Sequence, residues 1–227
     1  MAGLSLADHA FLIVGETALF WPVQKALIVA DLHLEKASWY ASHGQMLPPY
    51  DSLATLERLA CLIDQTGAAS LWCLGDNFHD IDGPDRMAMP TRERLAALTS
   101  QTEWHWIIGN HDPALPPGIG GHVHDEAERC GLMLRHRAKP AEMRPELSGH
   151  WHPKHRAVAR GRAVTRACFV RGQTRLILPA FGALTGGMPA NDAEIMALMP
   201  GGAEAIVSAG DRAMRFPLRS APKRKLA

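Results

Sequence analysis

The sequence has no apolar run long enough to cross a membrane. Although 47% of its 227 residues are hydrophobic, its longest apolar stretches fall far short of the roughly 20 residues that a membrane-spanning helix needs. The N-terminal stretch is interrupted by Asp8, His9, Gly15 and Glu16 and has no basic region, which is not the pattern of a signal peptide. These absences predict a protein without membrane contact.

Cysteines are few and lack the spacing of a disulfide framework. The four are Cys61, Cys73, Cys130 and Cys168, and no C-x-x-C motif occurs. Three of them lie in apolar contexts, so the sequence predicts small buried residues of a protein in a reducing compartment. A cytoplasmic location follows from this interpretation.

An excess of one charge sign is also absent overall, since the formal net charge is +1. The two parts of the chain nevertheless differ. Residues 1–134 carry 7 Lys/Arg against 17 Asp/Glu, and residues 135–227 carry 17 against 6. The basic residues are densest over 135–175, with 11 Lys/Arg. This segment is either a solvated basic face without a partner or a surface that attracts a polyanion.

The pattern of apolar runs predicts alternating strands and helices first, then mainly strands. Helices are expected over 52–64, where leucines recur with helical spacing, and over 90–99, which starts with proline. The expected strands are 10–14, 18–20, 26–30, 70–74, 104–108, 132–134, 147–148, 167–170, 175–178, 205–208 and 214–218. This order favours an α/β sandwich of mixed sheets. One domain is expected over 1–220, followed by a basic tail, 221–227, that is expected to fray.

Four short segments carry metal-binding side chains, and each follows an apolar run. They are Asp31-Leu32-His33, Gly75-Asp76-Asn77-Phe78-His79-Asp80, Gly109-Asn110-His111-Asp112 and Gly149-His150-Trp151-His152. Each motif alone could be a turn, a cap or a structural histidine. Their joint occurrence, each after an expected strand, predicts a metal centre at the strand ends, where α/β folds bind their ligands.

The residue types suit two divalent cations that share one carboxylate. Asp31 and His33 are one residue apart, so in an extended segment their side chains would face the same side. Asp76 could bridge two ions, and Asn110 offers a neutral oxygen where a further carboxylate would add too much negative charge. The remaining imidazoles are His136, His150 and His152. This mixed shell suits Mn²⁺, Fe or Zn²⁺ better than Ca²⁺ or Mg²⁺.

The motifs D-x-H, G-D, G-N-H-D, a lone His and G-H-x-H, in this order, resemble those of the calcineurin-like metallophosphoesterases over about residues 26–155. The resemblance implies a four-layer αββα sandwich of two mixed sheets flanked by helices. It also favours Mn²⁺ among the metals that the residue types allow, and it implies the ligand sets of the two metals. One metal would be held by Asp31, His33, Asp76 and His152, and the other by Asp76, Asn110, His136 and His150.

The resemblance further implies phosphodiester hydrolysis by a hydroxide that bridges the two metals. His111 would be the catalytic histidine, and Asp112 would orient its imidazole. The second motif continues with His79-Asp80 instead of the commoner arginine, which argues against a Ser/Thr phosphatase. His79 either contacts a phosphate or supports the ligands. His122 either contacts substrate from a glycine-rich loop over the metals or is a polar loop residue.

Aromatic residues and a glycine-rich segment near the motifs give further expectations, some with alternatives left open. Trp39-Tyr40 follows the first motif and could stack a nucleic-acid base, or it could pack in the core. Trp151 lies between two ligands and is expected to point into the core. The segment 179–187 is glycine-rich and either lines the site or forms a turn.

The longer strings G-D-N-F-H-D, G-N-H-D-P, G-H-W-H-P and L-P-A-F-G-A-L-T-G-G resemble one bacterial subgroup, the ligase-associated DNA damage response endonucleases (the PdeM group). This resemblance implies a DNA endonuclease in repair that acts on single-stranded DNA or single-stranded regions. It also implies repair partners such as an ATP-dependent ligase and a helicase. The alternatives are a phosphodiesterase or phosphomonoesterase for a small nucleotide, and a non-catalytic scaffold with this fold.

Overall fold

The structure is a computed structural model that describes residues 1–159 and 161–219. Its first sheet has seven strands in chain order: β1 (Ala2–Leu6), β2 (His9–Val14), β3 (Ala18–Trp21), β4 (Ala26–Val29), β5 (Ser70–Leu74), β6 (Glu103–Ile107) and β7 (His122–His124). Strands β1 to β4 form an antiparallel meander, and β4 to β7 run parallel. The carboxyl ends of β4, β5 and β6 therefore meet at one edge of the sheet.

Nine further strands follow along the chain. They are β8 (Ala127–Arg129), β9 (Leu132–Leu134), β10 (Glu146–Ser148), β11 (Lys154–Ala159), β12 (Arg162–Ala167), β13 (Phe169–Arg171), β14 (Arg175–Ile177), β15 (Ala203–Ala209) and β16 (Arg212–Leu218). Seven of them form the second sheet in the order β16-β15-β13-β14-β10-β9-β8, in which β9, β10 and β14 are parallel. Strands β11 and β12 pair with each other as a separate antiparallel ribbon.

Helices cover the outer faces of the two sheets. They are α1 (Lys36–Ser42), α2 (Asp51–Thr66), α3 (Gly83–Arg86), α4 (Met89–Gln101) and α5 (Ala193–Ala197), with a short 3₁₀ helix at Pro22–Gln24. The leucines of α2 and α4 pack against Leu71 and Trp104 of the first sheet. Helix α5 packs through Ile195 on the second sheet.

A hydrophobic core that the two sheets share lies between them. Alternate residues of the first-sheet strands, such as Leu4, Phe11 and Ile28, face Leu147 and Phe169 of the second sheet. This alternation follows from the two-residue period of a strand, which gives each sheet one inner and one outer face. The protein is therefore the predicted α/β sandwich of two mixed sheets with flanking helices.

The expected burial of the cysteines needs correction, and the expected tail cannot be compared with the structure. Cys73 and Cys168 are buried as predicted, but Cys61 and Cys130 are exposed, because Cys61 lies on the solvent side of α2 and Cys130 lies in the turn between β8 and β9. The expected tail, 221–227, lies outside the described residues.

In the described part of the chain, no helix combines the length and the apolar character that a membrane span requires.

Candidate metal centre

The seven predicted ligands lie just beyond the carboxyl ends of five strands. Asp31 and His33 follow β4, Asp76 follows β5 and Asn110 follows β6. His136 follows β9, and His150 and His152 follow β10. The first sheet thus supplies four of these side chains and the second sheet supplies three, so the cluster spans the two sheets.

These side chains form two groups that share one carboxylate. In the first group, donor atoms of Asp31, His33, Asp76 and His152 all lie within 4.8 Å of one another, and in the second group so do those of Asp76, His136 and His150. Asn110 joins the second group, because its Oδ1 lies 2.9 Å from Nε2 of His136. The grouping is the one that the metallophosphoesterase resemblance implies.

The spacing of the donor atoms fits metal coordination. Nε2 of His33 lies 3.2 Å from Nε2 of His152, and Nε2 of His136 lies 3.1 Å from Nδ1 of His150. Two ligands that share one ion at about 2.1 Å lie roughly 3.0–3.4 Å apart in octahedral or tetrahedral shells. Oxygens of Asp76 complete both groups, 3.8 Å from His33 and 3.3 Å from His136. The donor set therefore fits two divalent transition-metal ions.

Five of the seven ligands adopt the left-handed backbone conformation, which residues other than glycine rarely adopt. Their φ angles are 54° at Asp31, 45° at His33, 46° at Asp76, 77° at His150 and 46° at His152. The expectation of extended segments was therefore wrong, although the paired side chains do converge. Each such residue costs about 1–3 kcal/mol, and this strain concentrates at the ends of three strands that deliver ligands.

Glycines let these ligand segments pack directly on one another. A Cβ atom on Gly75 would overlap the ring of His136, and one on Gly109 would overlap Asp76. Gly75 also has a φ of 77°, which glycine adopts without steric cost. The glycine before Asp76 therefore leaves room for His136, and the glycine before Asn110 leaves room for Asp76.

Burial keeps two imidazoles of the centre, those of His33 and His150, in the neutral form that binds metals. It lowers the pKa of His33 to about 2, with His152 and His111 as further causes. It also lowers the pKa of His150 to about 4, with His136 adding to the effect. Burial raises the pKa of the Asp76 carboxyl, which loses hydration in the same pocket. Bound cations would remove this penalty, because they stabilise the carboxylate.

Backbone carbonyls fix which nitrogen of two histidines faces the centre. Nδ1 of His136 donates to the carbonyl oxygen of Leu74 at 3.0 Å, which leaves Nε2 for coordination. Nδ1 of His111 donates to the carbonyl oxygen of His79 at 2.7 Å, and its Nε2 lies 4.0 Å from Oδ2 of Asp76. His111 is thus positioned beside the shared carboxylate with 39% of its side chain exposed.

Asp112 does not orient His111, contrary to the expectation from the sequence. Its Oδ2 accepts hydrogen bonds from the backbone N–H groups of Asn77 and Phe78 at 2.8 and 3.1 Å, and its Oδ1 accepts one from Gly109 at 2.9 Å. Burial raises the pKa of this carboxyl to about 6. Asp112 therefore ties the second ligand segment to the third, and a catalytic role for it is not supported.

The two remaining predicted histidines differ in location. The ring of His79 lies 5.6 Å from that of His33 and 5.3 Å from that of His111, so His79 borders the centre. His122 lies in β7, not in a loop over the metals, and its ring stacks on His105 at 5.3 Å. The predicted loop was wrong because His122-Val123-His124 extends the first sheet by pairing with β6.

The structure also places residues and segments close to the ligand motifs whose location the sequence left undecided or did not predict. Trp151 is 5% exposed and belongs to the core on the outer face of the second sheet, as predicted. Helix α1, which follows the first ligand segment, was not predicted, and the charge of its Lys36 is close enough to His33 and His79 to help lower the pKa of both. The backbone N–H groups of Phe181 and Gly182 donate to the carbonyls of Ala30 and Asp31. The glycine-rich segment thus supports a ligand segment.

Comparison with solved structures finds a strong likeness to a nuclease. The nuclease MPE of Pseudomonas putida matches 95% of this chain and 98% of its own, with 29% identity and a TM-score of 0.71. The phosphoesterase Yfce of E. coli matches 86% of this chain and 99% of its own with 16% identity, but its TM-score of 0.39 is too low to bear on the argument. No protein-family model matches the sequence, and no curated protein matches it significantly.

The likeness to the Pseudomonas putida nuclease extends over nearly the whole sandwich. The two groups of metal-binding side chains lie where the strands of both sheets end. Together with the order of the motifs along the chain, these findings are consistent with a member of the metallophosphoesterase superfamily.

Proposed function

We propose that this metal-dependent phosphoesterase is an endonuclease that cleaves DNA in single strands or single-stranded regions. The nuclease activity in the name of the Pseudomonas putida neighbour supports phosphodiester hydrolysis. The observation that carries the choice of DNA is the distribution of unpaired positive charge around the metal centre.

Much of the basic segment 135–175 is neutralised by nearby carboxylates. Arg135 forms ion pairs with Glu126, Glu142 and Glu146, and Arg175 pairs with Glu146. Further pairs join Lys139 to Glu126, Arg144 to Glu128 and Glu142, and Arg171 to Glu204. The count of basic residues therefore overstates the positive surface, and these cations are poor candidates for phosphate binding.

Apart from Arg137, which follows the ligand His136, the unpaired cations of this segment among the described residues lie on the ribbon of β11 and β12. Arg156, Arg162 and Arg166 are exposed, and none of them pairs with a carboxylate among residues 1–159 and 161–219. Lys154 begins the ribbon two residues after the ligand His152, and its Nζ donates to the carbonyl of Thr185 at 3.3 Å. A basic ribbon next to a phosphoesterase site would attract the DNA backbone, because each phosphate that it neutralises releases counterions.

The residues of the chain itself supply the rest of the chemistry. The two cations, when bound, would activate water and neutralise charge on the phosphate. The imidazole of His111 lies at the edge of the centre, with Nε2 directed toward Asp76. From there it can stabilise the transition state or protonate the leaving oxygen. The carbonyl of His79 holds His111 in this tautomer. No serine or cysteine nucleophile is needed.

Finer parts of the proposal rest on the subgroup resemblance and the ligand chemistry. Mn²⁺ is the proposed metal because imidazole, carboxylate and amide ligands occur together. The proposed setting is DNA repair in the cytoplasm, with an ATP-dependent ligase and a helicase as partner proteins. Genes for such partners next to the gene for this chain would support this setting.

The experiment uses three substrates and metal-stripped protein resupplied with Mn²⁺. They are bis-p-nitrophenyl phosphate, p-nitrophenyl phosphate and a single-stranded DNA circle, with Asp76→Ala as the inactive control. We expect cleavage of the diester and of the circle, which has no ends and so reports endonuclease activity. Cleavage of the monoester with an intact circle would identify a small-molecule phosphatase. No hydrolysis of any substrate would identify a scaffold.

A matched pair of charge variants tests the ribbon. Arg156→Ala with Arg166→Ala removes two unpaired cations, whereas Lys139→Ala with Arg144→Ala removes two paired ones. We expect the ribbon variant to weaken DNA binding and to lower the slope of log affinity against log salt by about 1.5 for single strands. Hydrolysis of bis-p-nitrophenyl phosphate should stay unchanged. Equal effects of the two pairs on binding would contradict the assignment.

A further inference from the structure

One face of helix α1 combines a cation with aromatic side chains. Lys36, Trp39 and Tyr40 lie three and four residues apart, and His43 follows at the C-terminal end of the helix. Residues with this spacing occupy one side of a helix. Neither Trp39 nor Tyr40 belongs to a hydrophobic core cluster of the described residues, and both are partly exposed. Core packing, the alternative for this pair, is therefore not what the structure has.

This face is continuous with the metal centre. The ring of Trp39 meets the ring of His79 edge-on at 5.0 Å, and the ring of Tyr40 is stacked with it at 6.2 Å. His79 in turn lies 5.6 Å from the ligand His33. The ring of His79 therefore lies between the rings of Trp39 and Tyr40 and the proposed ligand His33.

The tryptophan is held in place from two sides. Its ring lies 4.1 Å from that of His43 at an angle of 32°, and Tyr40 meets it edge-on at 5.1 Å. The carbonyl oxygen of Trp39 also accepts a hydrogen bond from Nδ1 of His43 at 2.8 Å. An aromatic ring that is already ordered loses little conformational entropy when a flat ligand packs on it.

We infer that Trp39 and Tyr40 form a stacking surface for the base of an unpaired nucleotide that adjoins the scissile phosphate. This inference rests on the proposed function, because it names the part of the substrate that the site recognises beyond the phosphate. A nucleobase is the ligand that fits a rigid aromatic pair beside a phosphate-binding centre, because every base presents a flat π-face. Lys36 adds a positive charge on the same helical face.

This surface selects for unpaired strands. The bases of a duplex are stacked on their neighbours, so a protein ring can stack on a base only after the base has left the helix. A single strand or a flap offers such bases without that cost. The stacking surface would therefore give preference for single-stranded substrates without reading their sequence.

The test compares two single strands with the same phosphate backbone. One is a short oligothymidylate, and the other consists of abasic residues throughout. We expect Trp39→Ala to lower kcat/KM on the oligothymidylate by about 5-fold to 100-fold, the effect of losing one stacked base. On the abasic strand the variant should equal the wild type. Trp39→Phe, which keeps a ring, should fall between the two, and Tyr50→Ala, which removes a more exposed tyrosine, should cleave both strands normally.

Binding of the same strands to metal-free protein gives a second readout that does not depend on turnover. Fluorescence anisotropy should show that Trp39→Ala weakens binding of the oligothymidylate but not of the abasic strand. If the wild type bound the two strands equally, or if Trp39→Ala weakened both to the same extent, the stacking surface would be disproved. A wild type that binds in this base-dependent way but cleaves neither strand would retain the stacking surface and refute the nuclease function.

Discussion

Nδ1 of His111 donates to the backbone carbonyl of His79 across 2.7 Å. A carbonyl oxygen can only accept, so the bond fixes the proton on Nδ1 and turns Nε2 toward the shared carboxylate of Asp76, 4.0 Å away. The second motif thus supplies the carboxylate shared by the two ligand groups and, three residues later, the carbonyl that orients His111, the proposed catalytic histidine of the third motif. A carbonyl does here what a carboxylate does in many catalytic histidine pairs.

His111→Ala should retain both metals but lose turnover on substrates with poor leaving groups. We expect kcat on DNA to fall by about 100-fold to 10,000-fold, the usual contribution of a general acid. Hydrolysis of bis-p-nitrophenyl phosphate should fall much less, because p-nitrophenolate leaves without a proton. Steady-state kinetics on both substrates, with metal content by atomic absorption, would check this. Equal losses on the two substrates would argue against proton donation.

Asp76→Ala should remove most of the bound metal, since Asp76 is the one residue that belongs to both groups of ligands. Activity should vanish on every substrate. Asp76→Asn keeps one oxygen donor and is the matched control, so it should retain more metal than the alanine variant. Titration with Mn²⁺ in a calorimeter would distinguish them. A full complement of tightly bound metal in Asp76→Ala would refute the bridging role.

Asp112→Asn should destabilise the protein without altering the chemistry of His111. The asparagine would turn an N–H₂ group toward backbone N–H donors that now meet a carboxylate oxygen. The expected loss is about 2–3 kcal/mol in the free energy of unfolding. Asp192→Asn, at the N-cap of α5 with a single bond to the N–H of Glu194, should cost less than about 1 kcal/mol. Urea unfolding of metal-free protein would measure both. A changed pH profile of kcat in Asp112→Asn would instead indicate that Asp112 acts on His111.

Metal-free protein should lose stability as the pH falls below about 6.5. Burial lowers the pKa of His33 to about 2 and that of His105 to about 4, whereas both groups titrate near 6.5 when unfolded. The unfolded chain therefore binds more protons, and the stability present above pH 6.5 is lost on acidification. Each of these two histidines should remove up to about 1.4 kcal/mol per pH unit between pH 6 and 4, and the raised pKa of Asp112 offsets part of the total loss. Thermal unfolding across this range would show the slope, and His105→Gln should reduce it by up to about 1.4 kcal/mol per pH unit. A slope that His105→Gln leaves unchanged would mean that the His105 ring is not buried in solution.

The parts of the fold that the sequence predicted are those with strong periodic or apolar signals. The strand expected over 70–74 matches β5, and the helix expected over 52–64 lies within α2. Helix α1 was missed because its seven residues mix polar and aromatic side chains without an apolar stripe. The ribbon of β11 and β12 was missed for a related reason. Its residues are mostly exposed, so they carry no buried alternation to read.

The composition of the candidate site was accessible from the sequence, but its geometry was not. Asp31, His33 and Asp76 could be chosen by type and spacing, and the structure brings them together. Their left-handed backbone could not be foreseen, because aspartate and histidine give no signal for it comparable to glycine. The role of Asp112 was misjudged for a different reason. Its partners are the backbone N–H groups of Asn77 and Phe78 in a distant segment and of Gly109 three residues before it, and no side-chain motif encodes such contacts.

The two groups of ligands join halves of the chain that are remote in sequence. His33 and His152 are 119 residues apart yet lie 3.2 Å from each other, one after a strand of the first sheet and the other after a strand of the second. An ion held by both would close this loop as a covalent cross-link does, and for a loop of about 100 residues a cross-link contributes roughly 5 kcal/mol. All four cysteines of the chain are free. The metals would therefore be the cross-links of this protein, and its lifetime in the cell would depend on the supply of metal as much as its turnover does.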